Sequence, residues 1–399
     1  MKVGALISFE LQSISRGKVI MKNNPLVELQ KYGQSFWLDN ITRQLITSGG
    51  LTRLVEEDGL RGVTSNPTIF EKAITGSSSY DEEFAQAVSA GKDVTAIYEE
   101  LTTEDIRRGC DVLRPVYDAS DGADGFVSLE VGPHLAHDTA GTIAEAKRLH
   151  ARVDRPNLMI KVPATPAGIP AIAQLLADGL NINITLMFAL ENYEQVADAY
   201  LRGLEQRVAA RQPIEQIASV ASLFVSRVDT KVDKLLAAKL EATSDAAARE
   251  HLQSLKGCVA IANAKMMYQK YKELFGANER WQQLRSSGAR AQRLLWASTS
   301  TKNPDYPDTY YVEALIGPDT VDTLPPQTID AFREHGRVAP RLEAGLDEAR
   351  ETLSRLAEVG ISLRQVTQEL QDEGVASFAK SFDELISALA KKTGRHARA

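Results

Sequence analysis

Cysteine is scarce. Cys110 and Cys258 are the only two in 399 residues. A disulfide framework is excluded, and both are expected to be free, buried thiols in a reducing cytosol. No apolar run approaches the ~20 residues that cross a bilayer, so no membrane span is expected. The N-terminus has no continuous apolar segment followed by a small-residue cleavage site, which argues against secretion. Positive charge is not in excess either. With 46 Lys and Arg against 53 Asp and Glu, the net charge is −7, and broad nucleic-acid binding gets no support. Glycine-rich phosphate turns of the G-x-G-x-x-G or G-x-x-x-x-G-K kind are missing.

What is present is enough apolar residue, 43 %, for a large core in one big domain or two ordinary ones. Residues 1–22 differ from the rest and read as an extension that lacks fixed structure. Met21 is an alternative natural start, because the patterned sequence begins just after it.

The stretch Pro156-Asn157-Leu158-Met159-Ile160-Lys161-Val162-Pro163 organises the chain. It is a short apolar run bounded by prolines, the pattern of a strand buried on both faces. One lysine sits near its end. A buried ammonium costs several kcal/mol unless it is paired or loses its proton. Desolvation favours the neutral amine, and a neutral amine is a nucleophile. The alternative is a lysine that snorkels to solvent at the strand mouth.

Seven further strands follow the same logic: 35–39, 62–67, 125–131, 180–188, 219–226, 294–299 and 310–315. Helical spacing and caps place helices at 24–34, 41–57, 139–153, 169–176 and 191–210, and a long helical region at 228–275. Another helix is expected to open at Thr103 and Glu104 and to end before Pro115. Strict alternation of strand and helix implies a parallel sheet, and eight repeats imply a closed (β/α)8 TIM barrel with extra N-terminal and C-terminal helices. The open doubly wound sheet is the competing fold. Beyond residue 325 only helices remain, with apolar stripes Leu342–Leu356 and Val375–Leu389. They should pack outside the barrel or across one mouth. The expected organisation is extension 1–22, barrel 23–325, packed helices 326–390 and a solvated basic tail 391–399, with no linker.

In a barrel the carboxyl ends of the strands share one mouth, where chemistry is carried. The polar residues there are Asp39, Thr64, Asn66, Glu130, Lys161, Asn183, Thr185, Ser222, Arg227 and Ser298. Carboxylate, amine, amide and hydroxyl groups on so many different strands suit a polyhydroxylated, anionic ligand. Two of them have bland alternatives: Asp39 as the cap of helix 41–57, and Thr185 as an ordinary strand threonine.

At these residues the chain resembles the transaldolases, in their longer bacterial branch, along most of residues 24–390. Three motifs carry the resemblance: Gly62-Val63-Thr64-Ser65-Asn66-Pro67-Thr68, Leu158-Met159-Ile160-Lys161-Val162-Pro163, and Asn181-Ile182-Asn183-Ile184-Thr185-Leu186-Met187-Phe188. The resemblance implies a metal-free, cofactor-free Schiff-base enzyme of the pentose phosphate pathway, acting on sugar phosphates. Lys161 would attack the C2 carbonyl of a ketose phosphate. Glu130 would work through a water held by Thr185. Asp39 would take the C4-hydroxyl proton. Asn66 and Asn183 would hold the three-carbon unit, with Thr64, Ser222 and Phe224 lining the site and Arg227 on the phosphate. Where many relatives have Ala-Ser-x-Arg, this chain has Ala297-Ser298-Thr299-Ser300-Thr301-Lys302. Ser298 aligns, and Lys302 is the suggested replacement for the arginine, against the alternative of a solvated loop lysine. A lysine meets phosphate as a point charge, not a two-pronged fork.

Weaker signals point elsewhere and fade. His134 and His137 lack further ligands and read as loop hydrogen-bonders. Ser222 and Ser226 lack the glycines of a nucleophile elbow. Trp37 and Trp296 read as packing. The competing functions are an aldolase that releases dihydroxyacetone, and a silent barrel kept for binding. No membrane or nucleic-acid partner is expected, the location is cytoplasmic, and the state is monomer or homodimer.

Overall fold

The computed structural model describes residues 24–396. Residues 1–22, including Met21, lie outside the described residues. Eight strands close into one parallel barrel in chain order: β1 (Gln34–Asp39), β2 (Gly62–Thr64), β3 (Phe126–Glu130), β4 (Leu158–Pro163), β5 (Asn181–Met187), β6 (Ser219–Phe224), β7 (Arg293–Ala297) and β8 (Thr320–Leu324). Gln34 of β1 pairs with Thr320 of β8 and completes the ring. The open sheet is thereby excluded.

The alternation of side chains along each strand decides what fills the barrel. Trp37 lies wholly buried, and its indole occupies the space beside Gly62, where a Cβ would come within 2.4 Å of the ring. Phe126 packs 6.4 Å from Trp37, ring centre to centre. This layer is a solid floor, as small barrels require. Polar residues above it are therefore confined to the carboxyl mouth.

Four local expectations need correction. Residues 310–315 are not a strand: Tyr310–Ala314 is a helix, and the eighth strand is Thr320–Leu324. The tyrosines anchor that helix instead of pairing in a sheet. The Tyr311 hydroxyl donates to Asp229 Oδ2 at 3.0 Å, and the Tyr310 hydroxyl donates to the Gly257 carbonyl at 3.1 Å. Residues 41–57 form two helices, Arg43–Thr47 and Gly50–Glu57, because Gly49 turns left-handed between them at φ +72°. The helix placed at Thr103 starts earlier, at Val94 under an Asp93 cap, and runs through Pro115 to Ala119. Its buried face against β3 (Leu113, Val116, Tyr117) holds it together past the proline. The last helix also runs further than expected, Leu363–His396, into the range read as a tail.

That last helix crosses the carboxyl mouth. Gln371 Nε2 donates to the carbonyls of Ala164 and Leu186, both at 3.0 Å, just past β4 and late in β5. The helix Leu346–Glu358 instead packs outside, on Val259–Phe275. Cys110 is buried, whereas Cys258 is only half-buried. Among the described residues no helix is long and apolar enough to cross a membrane.

Candidate active site

Register brings the charged residues together. Glu130 of β3 lies opposite Lys161 of β4, and Lys161 opposite Asn183 of β5. Asp39 of β1 lies opposite Thr64 of β2. Above them a cavity of about 560 Å³ is lined by Asp39, Thr64, Asn66, Lys161, Thr185, Ser222, Phe224, Arg227, Ser298 and Lys302.

Lys161 does not snorkel. Its side chain is 4 % exposed, and Nζ donates to the Ser65 carbonyl at 3.0 Å. Glu130 Oε2 stands 3.3 Å from the same nitrogen. Burial pushes the Glu130 carboxyl above its ordinary range, and the Lys161 charge opposes that push. Asp39 does not cap the following helix, since Thr42 does that by accepting from the Leu45 amide at 3.0 Å. Asp39 Oδ1 instead accepts from the Thr64 hydroxyl at 2.8 Å, and Thr64 also bonds Thr323 at 2.7 Å. Burial raises the Asp39 carboxyl too, against Lys161, the Thr64 bond, Arg227 and Lys302.

Thr185 is aimed by irregular backbone. The β5–β6 register slips between Ile184 and Met187, and Leu186 adopts φ +53°. A non-glycine residue in that region costs of order 1–3 kcal/mol and is held by its surroundings; here the Gln371 bond to the Leu186 carbonyl is one such hold. Ser298 is the second such residue at the mouth, at φ +56°, with its hydroxyl 3.0 Å from that of Ser226. Thr185 Oγ1 is buried without a hydrogen-bond partner, and the buried Glu130 Oε2 has only the Lys161 nitrogen, at 3.3 Å. A sugar hydroxyl or a water shared between them would satisfy both.

Two expected residues are placed differently. Glu130 lines a neighbouring cavity and reaches Lys161 from behind. Asn183 does not line the cavity: its amide is buried, donating to Ser128 Oγ at 3.0 Å and accepting from Ser222 Oγ at 2.7 Å. Asn66 lines the cavity and also caps the helix Pro67–Thr75, accepting from the Ile69 amide at 3.0 Å.

The far side of the cavity is cationic. Arg227 lies in the first turn of the helix Ser226–Ala242, its guanidinium 4.9 Å above the Phe224 ring. Burial holds Arg227 below its usual value. Lys302 Nζ donates to Ser300 Oγ at 2.6 Å and is lowered first by desolvation, then by the Arg227 charge. Several lining residues escaped the sequence, among them Lys72, Thr323 and Phe378. Lys72 rides the helix capped by Asn66, and its spacing from that cap was a usable signal. Phe378 arrives from the last helix, which no local pattern could place here. Three cations, Arg227, Lys302 and Lys72, suit a phosphate. Of the weaker signals, His134 bonds Asp383 at 2.8 Å.

Residues 36–389 match the model of the family described as Transaldolase/Fructose-6-phosphate aldolase. Among curated proteins, a transaldolase of Trichodesmium erythraeum is 46 % identical over 374 residues, covering 93 % of this chain and 98 % of that one. Transaldolase 2 of Nostoc punctiforme is 49 % identical over 375 residues, 93 % of this chain and 98 % of that protein. A transaldolase of Thermobifida fusca is 48 % identical over 374 residues, 94 % and 99 % of the two chains. A family match over most of the chain, and near-complete coverage of relatives this similar, mean that the chain belongs to the transaldolase/fructose-6-phosphate aldolase family.

Proposed function

We propose that this chain is a transaldolase. It moves a dihydroxyacetone unit from a ketose phosphate (sedoheptulose 7-phosphate or fructose 6-phosphate) to an aldose phosphate (glyceraldehyde 3-phosphate or erythrose 4-phosphate). The observation that carries this is the buried Lys161 amine, in one cavity with Asp39 and 3.3 Å from Glu130.

The uncharged Lys161 nitrogen adds to the C2 carbonyl and forms a carbinolamine. Glu130, through a water held by Thr185, gives a proton to the departing hydroxyl, and water leaves an iminium ion. Glu130 Oε2 stands 3.3 Å from the amine and favours its charged form, so this carboxyl takes the ammonium proton before Lys161 attacks. Asp39 takes the C4-hydroxyl proton. The C3–C4 bond breaks, its electrons flow into the iminium as an enamine, and the first aldehyde departs. The acceptor aldehyde is then attacked by C3 of the enamine, and Asp39 returns its proton to the new alkoxide. Water adds to C2 and frees Lys161. Arg227 and Lys302 hold the phosphate, Asn66 and Thr64 the hydroxyls of the retained unit, and Ser222, Phe224 and Ser298 shape the wall. Asn183 acts from beneath the cavity, through Ser222. No metal or cofactor enters this scheme. Residues 23–325 serve as the catalytic barrel and the helices of 326–390 pack on it, the last of them across its mouth, in a cytoplasmic monomer or homodimer.

Borohydride added with fructose 6-phosphate tests the reading. Mass mapping should find a reduced three-carbon or six-carbon adduct on Lys161, and a chain that stays unmodified there is no Schiff-base enzyme. The family description also names an aldolase. Cleavage of fructose 6-phosphate at the same rate with and without erythrose 4-phosphate would favour that second activity.

A further inference from the structure

Glu130 stands in a partition. On one side is the cavity that Lys161 lines. On the other is a second cavity of about 300 Å³, which shares only Asn66 with the first. Both protein groups against the Lys161 nitrogen, Glu130 Oε2 and the Ser65 carbonyl, come from residues of the second cavity's wall.

The two cavities differ in what they can admit. The first carries Arg227, Lys302 and Lys72 and suits a phosphorylated sugar. The second carries Glu99, Glu130 and Glu145 against Arg148 alone, and Arg148 is already engaged by Glu99 at 2.6 Å through both nitrogens. A phosphate would meet net repulsion there. Its volume has room for several water molecules. Polar groups along it can carry water: the Glu145 carboxylate, already bonded to the Gly132 amide at 3.1 Å, and the Tyr98 hydroxyl. Rings line it where it meets solvent, on the side of the exposed His134. Phe382 of the last helix stacks edge-on against Tyr98 at 5.3 Å and His134 at 5.9 Å.

We propose that this second cavity is the water port of the Schiff-base cycle, separate from the route taken by sugars. The proposal rests on the transaldolase reading. Dehydration of the carbinolamine takes a proton from the Glu130 carboxyl, breaks C2–O and sends one water out through the port. Hydrolysis brings one water in, which bonds to C2 and returns its proton to Glu130. While the dihydroxyacetone unit waits on Lys161 as an enamine, C3 can take the proton held by Asp39 in place of the acceptor aldehyde. Water from the port then adds to C2 of the resulting iminium ion and frees the unit. The Phe382 cover therefore sets how often the unit is released instead of transferred, and Phe382 and Tyr98 are positioning residues for water.

The test uses the full chain with fructose 6-phosphate and erythrose 4-phosphate. Two readouts are taken: free dihydroxyacetone per transfer, and exchange of heavy oxygen from labelled water into C2. Phe382→Ala uncovers the port and should raise both by about tenfold, one decade in a competing rate. Thr95→Trp, at an exposed position on the port's rim, should lower both. Phe382→Tyr should keep the parental ratio. A cavity that is only a packing void predicts changed melting with an unmoved ratio, and that result in both Phe382→Ala and Thr95→Trp overturns the port. Borohydride trapping of the parent separates the failures. With no adduct on Lys161 the transaldolase reading falls and takes the port with it; an adduct with unmoved ratios removes the port alone.

Discussion

At the amino end of the barrel Asp124 accepts from Ser35 at 2.6 Å, from the Trp37 indole at 3.0 Å and from Arg293 at 2.9 Å, while Arg293 also donates to Ser35 at 2.8 Å. Every charge in that group has a partner. The unpaired atoms near it are neutral amide oxygens of Gln34 and Gln292, whose amide nitrogens are bonded. At the carboxyl end, the Thr185 hydroxyl is buried without a hydrogen bond, and the buried Glu130 oxygen has only the Lys161 nitrogen, at 3.3 Å. Both ends are polar and both are buried. Polar groups that complete one another stabilise a fold, whereas polar groups left incomplete in a dry site are what a ligand can complete. Substitutions at the two ends should therefore move different observables.

The largest effect is expected at Lys161. Lys161→Met removes the nucleophile and should lower transfer by on the order of 10⁴-fold or more, with the folded chain intact by circular dichroism. A variant with more than a hundredth of parental activity would mean that another group supplies the covalent step. The opposite end supplies the counterpart. Asp124→Ala removes the carboxylate paired with Arg293 and the acceptor of the Trp37 indole, and should destabilise by about 3 kcal/mol in denaturant titration. Activity per folded molecule should stay at the parental level. If it falls with stability untouched, the division between the two ends is wrong.

How much of this was legible beforehand follows from the same physics. A charge at the end of an apolar run is expensive, so Lys161 and Asp39 stood out in one sequence, and proline stops marked β2 and β4. β8 did not stand out, because Thr320-Val321-Asp322-Thr323-Leu324 carries a fully buried aspartate that local reading takes for a loop. Tyr310-Tyr311-Val312 carries strand-forming residues that tertiary hydrogen bonds put to another use, and strand propensity yields readily to such context. Lys72 and Phe378 reach the mouth only because whole helices dock there. That docking is long-range, and no local window contains it.

A smaller effect sharpens the phosphate side. Arg227→Lys keeps the charge but loses the planar fork over Phe224. KM for fructose 6-phosphate should rise about tenfold with kcat changed less. An unchanged KM would move the phosphate elsewhere, and Lys72→Ala would then be the next variant to measure.

The smallest effect reverses sign between activity and stability. Burial raises the Asp39 carboxyl above its ordinary value of 3.8. Between the unfolded and folded values the native state binds the extra proton, so stability falls as pH rises through that window. Above the window the penalty of ionising Asp39 in the folded chain is fully present, and below it, with both states protonated, the penalty is gone. Asp39→Asn removes the penalty. The variant should lose transfer activity yet gain about 1 kcal/mol at neutral pH, the size usual when a functional site is relieved. The gain should shrink as pH drops toward 4. Thermal melts of parent and variant at pH 7.5 and pH 4 measure it. A variant less stable than the parent at pH 7.5 would mean that the pairing of Asp39 with Lys161 outweighs its burial. The carboxyl mouth would then be held together by its charges, as the amino end is by Asp124.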